Sequence, residues 1–257
     1  EIGRQVRPHL YDYNIQKPDV LVPRELRMEV TERVDSDGRV LQALDEEQVR
    51  QAARTLADKQ IGAVTICFLH AYKNPDHERR AKELVLEIMP DAYISLSSDI
   101  LPEFREYERL STTVLNTTIG PKMSRYLDRF LARATELGIA NEPRTVHSNG
   151  GLMSMESVRN YPVRTCLSGP AAGVVGAAII GAAIGHPDLV TFDVGGTSTD
   201  VSLIRQGRAV FTSHRNVAGY PVKTPMVDIH VIGAGGGSIA WRDDAGALKV
   251  GPHSAGA

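Results

Sequence analysis

Residues 191–203 have the sequence Thr-Phe-Asp-Val-Gly-Gly-Thr-Ser-Thr-Asp-Val-Ser-Leu, in which two short, partly apolar segments flank a pair of glycines. Such segments on both sides of adjacent glycines are typical of two strands joined by a tight turn. The stretch therefore predicts a β-hairpin whose turn is bordered by hydroxyl and carboxylate side chains. An ordinary hairpin with a Gly-Gly turn is the alternative interpretation.

The residue types at this turn suit the binding of a nucleotide phosphate. Gly195 and Gly196 have no Cβ and can adopt positive φ, so main-chain N–H groups can approach phosphate oxygens closely. The hydroxyl residues Thr197–Thr199 add hydrogen-bond donors. Asp193 and Asp200 would repel a phosphate, which implies a divalent cation or an attacking water between carboxylate and phosphate.

Composition and charge limit the class of protein. The 257 residues can bury a large core and fit two domains better than one. A net charge of -2 favours neither nucleic acid nor an acidic membrane surface as a partner. Cys67 and Cys166 lie in apolar segments without C-x-x-C spacing, which predicts reduced thiols in a cytoplasmic protein, with a reactive thiol as the alternative. The sequence contains neither a recognisable secretory leader nor an apolar run long enough to span a membrane.

The first part of the chain predicts a small α/β arrangement. Alternating apolar residues around a turn signal predict a hairpin over residues 26–42. Asp45 is predicted to cap the helix that follows. The apolar run 61–69, a helix beginning at Pro75 and a strand over residues 92–96 then predict a βαβ unit with parallel strands.

Two long helical segments are predicted before the hairpin. Residues 102–138 predict a helix that is interrupted near Pro121, and its charged start places Arg105 and Arg109 either on a solvated face or against a substrate. Residues 168–185 are almost entirely small and predict a helix that permits unusually close packing between two halves of the protein. This run is too short, and its side chains are too small, for a membrane-spanning helix.

Three residues are candidate metal ligands. His147 follows a predicted strand and begins a polar Gly-rich loop, where it binds a metal or a substrate or is simply a hydrogen-bonded loop histidine. Asp228 and His230 lie two apart in a predicted strand, so their side chains face the same side and can bind one metal together with His147. An ion pair at the strand end is the alternative.

A second glycine-rich run, residues 233–238, follows that strand. We predict that it lies close to phosphate or substrate, with Gly235 and Gly236 as contacts, and a plain flexible turn is the alternative. Its G-x-G-x-G spacing and the absence of a clear helix after it argue against a dinucleotide-binding site of the Rossmann type.

Four motifs in this order resemble the actin-like ATPases and, among them, the hydantoinase A and 5-oxoprolinase family. They are His147–Gly151, Ser168–Gly173, Thr191–Asp200 and Asp228–Ser238. The opening Glu1–Gln5 also resembles the family's N-terminal region. The resemblance implies part of an α/β fold of the actin-like (RNase H-like) type, with mixed sheets and flanking helices. It also implies that residues 1–98 are the remainder of an N-terminal hydantoinase/oxoprolinase-type domain and residues 99–257 the start of a hydantoinase A domain.

The same resemblance implies an ATP-dependent hydrolase that opens a cyclic amide, such as a hydantoin or 5-oxoproline ring, after phosphorylation of its carbonyl oxygen. Relatives in the family carboxylate ketones instead. The implied partners are the small-molecule substrate and a second subunit or domain of the hydantoinase B type, with no role for nucleic acid or membrane. The implied site residues are Gly195, Gly196, Thr197, Thr199, Gly235 and Gly236 for ATP, Asp193 and Asp200 for Mg²⁺ and catalysis, and His147, Asp228 and His230 for a further divalent transition metal.

Two other functional classes stay open on the sequence alone. A kinase or a chaperone-like ATPase would share the turn but should lack the His147–Asn149 motif and the Asp228-x-His230 pair, and a non-catalytic subunit would only bind nucleotide or act as a scaffold. Actin-like ATPases use two phosphate loops and an adenosine-contacting segment, whereas this sequence contains one such loop. The first loop is expected before Glu1 and the adenosine segment after Ala257, so we expect the isolated fragment to lack ATPase activity.

Overall fold

The computed structural model describes Tyr11, Asn14 and residues 19–256. The predicted family resemblance at Glu1–Gln5 lies outside the described residues. Within the described part, the chain divides into two compact units. The first extends to Pro143 and adds Met155–Val163 and His214–Thr224, and the second contains Arg144–Ser154, Arg164–Ser213 and residues 225–256. The domain boundary at residue 98, which rests on the family resemblance, stays a prediction.

Helices and short strands alternate along the first half of the chain, and strands dominate the end. The helices are α1 (Glu46–Asp58), α2 (Asp76–Ile88), α3 (Ser97–Ile100), α4 (Glu106–Glu136), α5 (Met155–Asn160) and α6 (Ser168–Ala183). The strands are β1 (Arg33–Val34), β2 (Val40–Gln42), β3 (Ala63–Ile66), β4 (Tyr93–Leu96), β5 (Thr145–Val146), β6 (Leu152–Met153), β7 (Leu189–Val194), β8 (Thr199–Arg205), β9 (Arg208–Ala209), β10 (Phe211–Val217), β11 (Tyr220–Val227), β12 (Ile229–Ile232), β13 (Ser238–Arg242) and β14 (Leu248–Ser254).

The first unit contains the predicted βαβ arrangement. Strands β3 and β4 pair in parallel and are connected through α2, as the periodicity predicted. Asp45 caps α1, since its carboxylate accepts a hydrogen bond from Gln48 N at 3.0 Å. Side chains from α1, α2, β3 and β4 form one apolar core in which Leu84 is fully buried. Burial of such a leucine stabilises the fold by about 2 kcal/mol.

The predicted hairpin over residues 26–42 is shorter than expected. Only β1 and β2 pair, and the segment before them is not a strand. Leu26, Met28 and Val30 pack instead against the apolar core of the first unit. Their apolar spacing therefore reflects burial of an irregular segment and not cross-strand pairing.

Helix α4 continues through Pro121, so the predicted interruption is wrong. A proline inside a helix costs about 3 kcal/mol because it removes a hydrogen bond and crowds the preceding turn. Burial along the same helix compensates, since α4 packs on β3 and β4 and buries Leu115, Asn116 and Leu127. Gly120 permits this contact, because a Cβ there would overlap the ring of Tyr93.

Arg109 is neither a solvated nor a substrate-facing residue. Its side chain is 1% exposed and donates hydrogen bonds to Ser97 Oγ at 3.1 Å, Phe68 O at 2.8 Å and Glu103 O at 2.9 Å. Ser97 Oγ in turn donates to the carboxylate of Glu78, which is fully buried. The charged start of α4 thus contributes a buried polar network to the first unit.

The second unit is built on a sheet with the strand order β12-β8-β7, to which β9 adds beside β8. Helix α6 packs on one face of this sheet, where Ile204 and Ile229 are almost fully buried. A Cβ on Gly181 would lie 2.7 Å from the carbonyl oxygen of His186, in the turn at the end of α6 itself, whereas a Cβ on Gly169, Gly173 or Gly176 would meet no atom within 4 Å. The close packing between two halves of the protein that the small residues predicted therefore stays a prediction. No helix in the described ranges combines the length and the apolar character that a membrane crossing requires.

Candidate functional site

The Gly-Gly turn joins β7 to β8 as the sequence predicted. The two strands pair antiparallel up to Val194 and Thr199, and a hydrogen bond from Gly195 N to Ser198 O at 2.9 Å closes the turn. Gly195 does not use the positive φ that glycine permits. Glycine is nonetheless favoured there, because a Cβ would lie only 3.3 Å from Ser198 O.

The main-chain N–H groups of the turn face outward. Gly195 O accepts a hydrogen bond from Gly236 N at 2.9 Å, and Gly196 O accepts one from Gly237 N at 2.7 Å. Because the C=O and N–H of one peptide plane point in opposite directions, the N–H groups of Gly196 and Thr197 point away from these donors. Among the described residues, none accepts a hydrogen bond from either N–H group. Successive unpaired N–H groups of this kind can bind an anion such as a phosphate.

Two carboxylates lie directly before and after the turn. Asp193 and Asp200 are paired opposite each other across β7 and β8, so both side chains project from the same face of the sheet. Like charges in directly opposed positions destabilise a sheet. A hard divalent cation such as Mg²⁺ prefers carboxylate oxygens and would remove this repulsion. The donor set at the turn therefore fits a cation bound next to phosphate.

The glycine loop, defined here as Gly233–Ser238, packs behind the turn. Besides the two bonds to the turn carbonyls, Thr199 Oγ1 donates to Ala234 O at 2.6 Å, and Gly235 N donates to Ser238 Oγ at 2.8 Å. The N–H groups of Gly235 and Gly236, predicted to contact phosphate, are thus already bonded within the protein. Thr199 was predicted to contact ATP, whereas its buried hydroxyl bonds to the glycine loop. The bond to Ser238 was not predicted, although consecutive glycines are a signal for close main-chain packing.

The three candidate metal ligands are not brought together. Within the described ranges, no group of three His, Cys, Asp or Glu side chains could hold a metal ion. Ile229 is buried on the face that α6 covers, whereas Asp228 and His230 on either side of it are exposed. His230 pairs with Val201, and it therefore lies on the sheet face opposite Asp193 and Asp200. The predicted three-residue transition-metal site does not fit this arrangement.

His147 has the geometry of a hydrogen-bonded loop histidine. Its Nδ1 accepts a hydrogen bond from Asn149 N at 2.9 Å, which requires Nδ1 to be unprotonated and leaves the proton of the neutral ring on Nε2. Partial burial and the nearby positive charge of Arg164 both lower the pKa of His147 below its usual value. A neutral imidazole with Nδ1 occupied and Nε2 protonated is a hydrogen-bond donor and not a ready metal ligand.

This environment predicts a pH-dependent contribution to stability. Because the pKa of His147 is lower in the folded state, the unfolded state binds more protons as the pH falls from about 6.5, the usual histidine value, through the folded value. We expect the stability advantage of the wild type over His147→Gln to be full at pH 7.5 and to decline towards pH 5. Urea unfolding at several pH values measures this difference, and a constant or rising advantage on acidification would contradict the interpretation.

Neither cysteine has the environment of a reactive thiol. Cys67 and Cys166 are free, and burial raises the pKa of both thiols. A raised pKa leaves less of the nucleophilic thiolate at neutral pH. We therefore assign neither residue a catalytic role.

Comparison with known proteins gives the family. Residues 109–257 match the family described as hydantoinase/oxoprolinase, and residues 1–89 match the hydantoinase/oxoprolinase N-terminal region. Caprolactamase subunit alpha of Pseudomonas jessenii is 38% identical over 100% of this chain and 37% of its own length. The acetone carboxylase beta subunit of Xanthobacter autotrophicus is 34% identical over 99% of this chain and 37% of its own length. The protein 5-oxoprolinase 1 of Arabidopsis thaliana is 34% identical over 100% of this chain and 21% of its own length. The chain thus spans well under half of each of these relatives.

Solved structures agree with this assignment. The ATP-dependent caprolactamase from Pseudomonas jessenii superposes with a TM-score of 0.84 at 36% identity, over 100% of this chain and 37% of that one. A nucleotide-free acetone carboxylase superposes with a TM-score of 0.78 at 34% identity, over 91% of this chain and 34% of that one. The predicted partial actin-like α/β fold is confirmed. Because the two family descriptions together match most of its residues, the chain belongs to the hydantoinase/oxoprolinase family.

Proposed function

We propose that this chain supplies the phosphate-binding hairpin of an ATP-dependent hydrolase that opens a cyclic amide. The observation that carries the proposal is the turn, whose outward N–H groups at Gly196 and Thr197 lie next to the opposed carboxylates of Asp193 and Asp200. An anion site beside a cation site suits a nucleotide phosphate with its metal. The names of the relatives, caprolactamase and 5-oxoprolinase, support a lactam as the second substrate.

The chemistry explains why ATP is needed. Amide resonance makes the ring carbonyl a poor electrophile. Attack of the carbonyl oxygen on the γ-phosphorus, with ADP as leaving group, removes that resonance and activates the carbon. Water then adds to this carbon, the ring C–N bond breaks as the nitrogen takes a proton, and a second water hydrolyses the acyl phosphate to carboxylate and phosphate.

The roles of individual residues follow from this chemistry. Phosphoryl transfer depends on positioning and charge neutralisation more than on a reactive side chain. We assign the N–H groups of Gly196 and Thr197 to the phosphate oxygens. Asp193 and Asp200 would hold Mg²⁺, which neutralises the charge that develops on the transferred group.

A ketone carboxylase is the second candidate, because the acetone carboxylase beta subunit aligns with nearly all of this chain. In that case the same hairpin would bind ATP to activate a ketone or bicarbonate oxygen. Both candidates include a partner polypeptide, since the relatives named caprolactamase subunit alpha and acetone carboxylase beta subunit are each one subunit of an enzyme. We propose a partner of the hydantoinase B type.

The test is ADP formation by the natural polypeptide that contains this sequence, purified with any subunit that accompanies it. The panel comprises hydantoin, 5-oxoproline, caprolactam, and acetone with bicarbonate. We expect one cyclic amide to raise ADP formation at least tenfold and to yield an equal amount of ring-opened product. Stimulation by acetone only in the presence of bicarbonate would instead establish the carboxylase. A rate of ATP turnover that none of these compounds changes, or the absence of ATP turnover, would contradict both candidate functions.

A further inference from the structure

The glycine loop Gly233–Ser238 is placed to control the direction of the turn's N–H groups. Its Gly236 N and Gly237 N donate to Gly195 O and Gly196 O, and those two carbonyls belong to the peptide planes whose N–H groups face outward. A peptide plane rotates as a unit, so fixing the carbonyl also fixes the N–H. We propose that the loop is a positioning element that holds the phosphate-binding N–H groups in their outward orientation, an inference that rests on the proposed function.

The loop approaches the turn too closely for a side chain at one position. A Cβ on Gly235 would lie 2.5 Å from Gly195 O and 2.9 Å from Ser198 N, and both of these are main-chain atoms that cannot move without moving the turn. By contrast, a Cβ on Gly233 would come no closer than 3.5 Å to Pro252 Cβ, which is an ordinary contact, and no bond joins Gly233 to the turn among the described residues. Neither glycine has a left-handed φ. The two positions therefore differ in the space available and not in main-chain conformation.

Side-chain hydroxyls hold the loop at both of its ends. Thr199 is 5% exposed, and its Oγ1 donates to Ala234 O at 2.6 Å, joining the first residue of β8 to the loop. Ser238 Oγ accepts from Gly235 N at 2.8 Å at the opposite end. Because the Thr199 hydroxyl is committed to this bond, we assign it to loop anchoring and not to direct contact with the nucleotide.

A direct phosphate contact from the loop is the competing role, and the hydrogen bonds disfavour it. The N–H groups of Gly235, Gly236 and Gly237 all have acceptors within the protein. Binding phosphate through them would break the bonds that orient the turn. The loop therefore acts on the phosphate through the turn carbonyls.

The matched variants are Gly235→Ala and Gly233→Ala, compared for ATP affinity in the presence of Mg²⁺ by isothermal titration calorimetry on the natural polypeptide. We expect Gly235→Ala to raise the Kd for ATP at least tenfold and Gly233→Ala to change it less than twofold. Equal affinity in the two variants, with a wild type that binds ATP, would overturn the positioning role alone. A wild type that does not bind ATP would overturn the proposed function as well.

A second pair decides the question if Gly235→Ala does not fold. Thr199→Val removes the hydroxyl that anchors Ala234 at nearly constant volume, whereas Thr199→Ser keeps the hydroxyl. Thr191→Val is the control, because the Thr191 hydroxyl bonds to Ser202 in the same hairpin without contacting the loop. We expect Thr199→Val to raise the Kd for ATP at least fivefold. Thr199→Ser and Thr191→Val should both keep the wild-type Kd. The same loss in Thr199→Val and Thr191→Val would show a general effect on the hairpin and overturn the proposal.

Discussion

Replacement of Asp193 by Asn is expected to reduce ATP turnover by about 100-fold, the typical effect of losing one preorganised electrostatic contact at a transition state. The amide keeps the shape of the side chain but loses the charge that Mg²⁺ requires. The variant should nevertheless be more stable than the wild type, because Asp193 and Asp200 face each other across the hairpin and Asn at position 193 removes the repulsion between them. We expect the free energy of unfolding to rise by about 0.2–1 kcal/mol.

Steady-state ATP hydrolysis and urea unfolding of the same preparations measure these two effects. Asp188→Asn is a matched control, since Asp188 lies at the other end of the hairpin and its carboxylate accepts a hydrogen bond from Gln206 N at 2.8 Å. That variant should keep wild-type turnover. Unchanged turnover in Asp193→Asn would place the phosphate site elsewhere in the molecule, and a large loss of stability would show that Asp193 has a structural role.

Replacement of Arg109 by Leu is expected to destabilise the protein by about 3 kcal/mol. The side chain is buried and donates to three acceptors, Ser97 Oγ, Phe68 O and Glu103 O. Removal of the guanidinium leaves these three acceptors without their charged donor in a buried site and removes a positive charge from the network that reaches the buried carboxylate of Glu78 through Ser97. Each unsatisfied buried group costs about 1–3 kcal/mol, so a loss of this size is expected.

Arg105→Leu is the control for Arg109→Leu, because Arg105 lies one turn earlier and is exposed. Its guanidinium contacts only the exposed ring of Phe104 among the described aromatic residues, at 5.4 Å, so the variant should change stability by less than about 0.5 kcal/mol. Chemical denaturation measures both. Wild-type stability in Arg109→Leu, accompanied by loss of ATP turnover, would instead support the substrate-facing role that the charged run first suggested.

Features set by neighbouring residues were predictable from the sequence. The cap at Asp45, the parallel βαβ unit and the β7–β8 hairpin depend on residue types within a few positions or on a simple periodicity. The predicted interruption at Pro121 was wrong because continuation of the helix depends on packing between distant parts of the chain. Local propensity disfavours proline there, but packing of α4 on β3 and β4 offsets the cost, and a sequence pattern does not reveal that packing.

In the candidate site, too, the local features were predictable and the features that depend on tertiary contacts were not. The sequence indicated that Gly195, Gly196 and the flanking acids form a turn suited to phosphate. It did not reveal that His230 faces away from Asp193, because strand register and the face covered by α6 are fixed only when β12 pairs with β8. It also did not reveal the neutral state of His147, which depends on Arg164 and on burial.

By itself the sequence determined the family, the hairpin and the types of group at its turn, since these follow from local order along the chain. The direction of the turn's N–H groups was decided only by the tertiary structure. Those groups face outward because residues distant in sequence, Gly236 and Gly237, bond to the opposite side of the same peptide planes. Local sequence favours certain turn types, but it does not supply the hydrogen bonds that fix these two peptide planes, and those bonds form only when the chain folds.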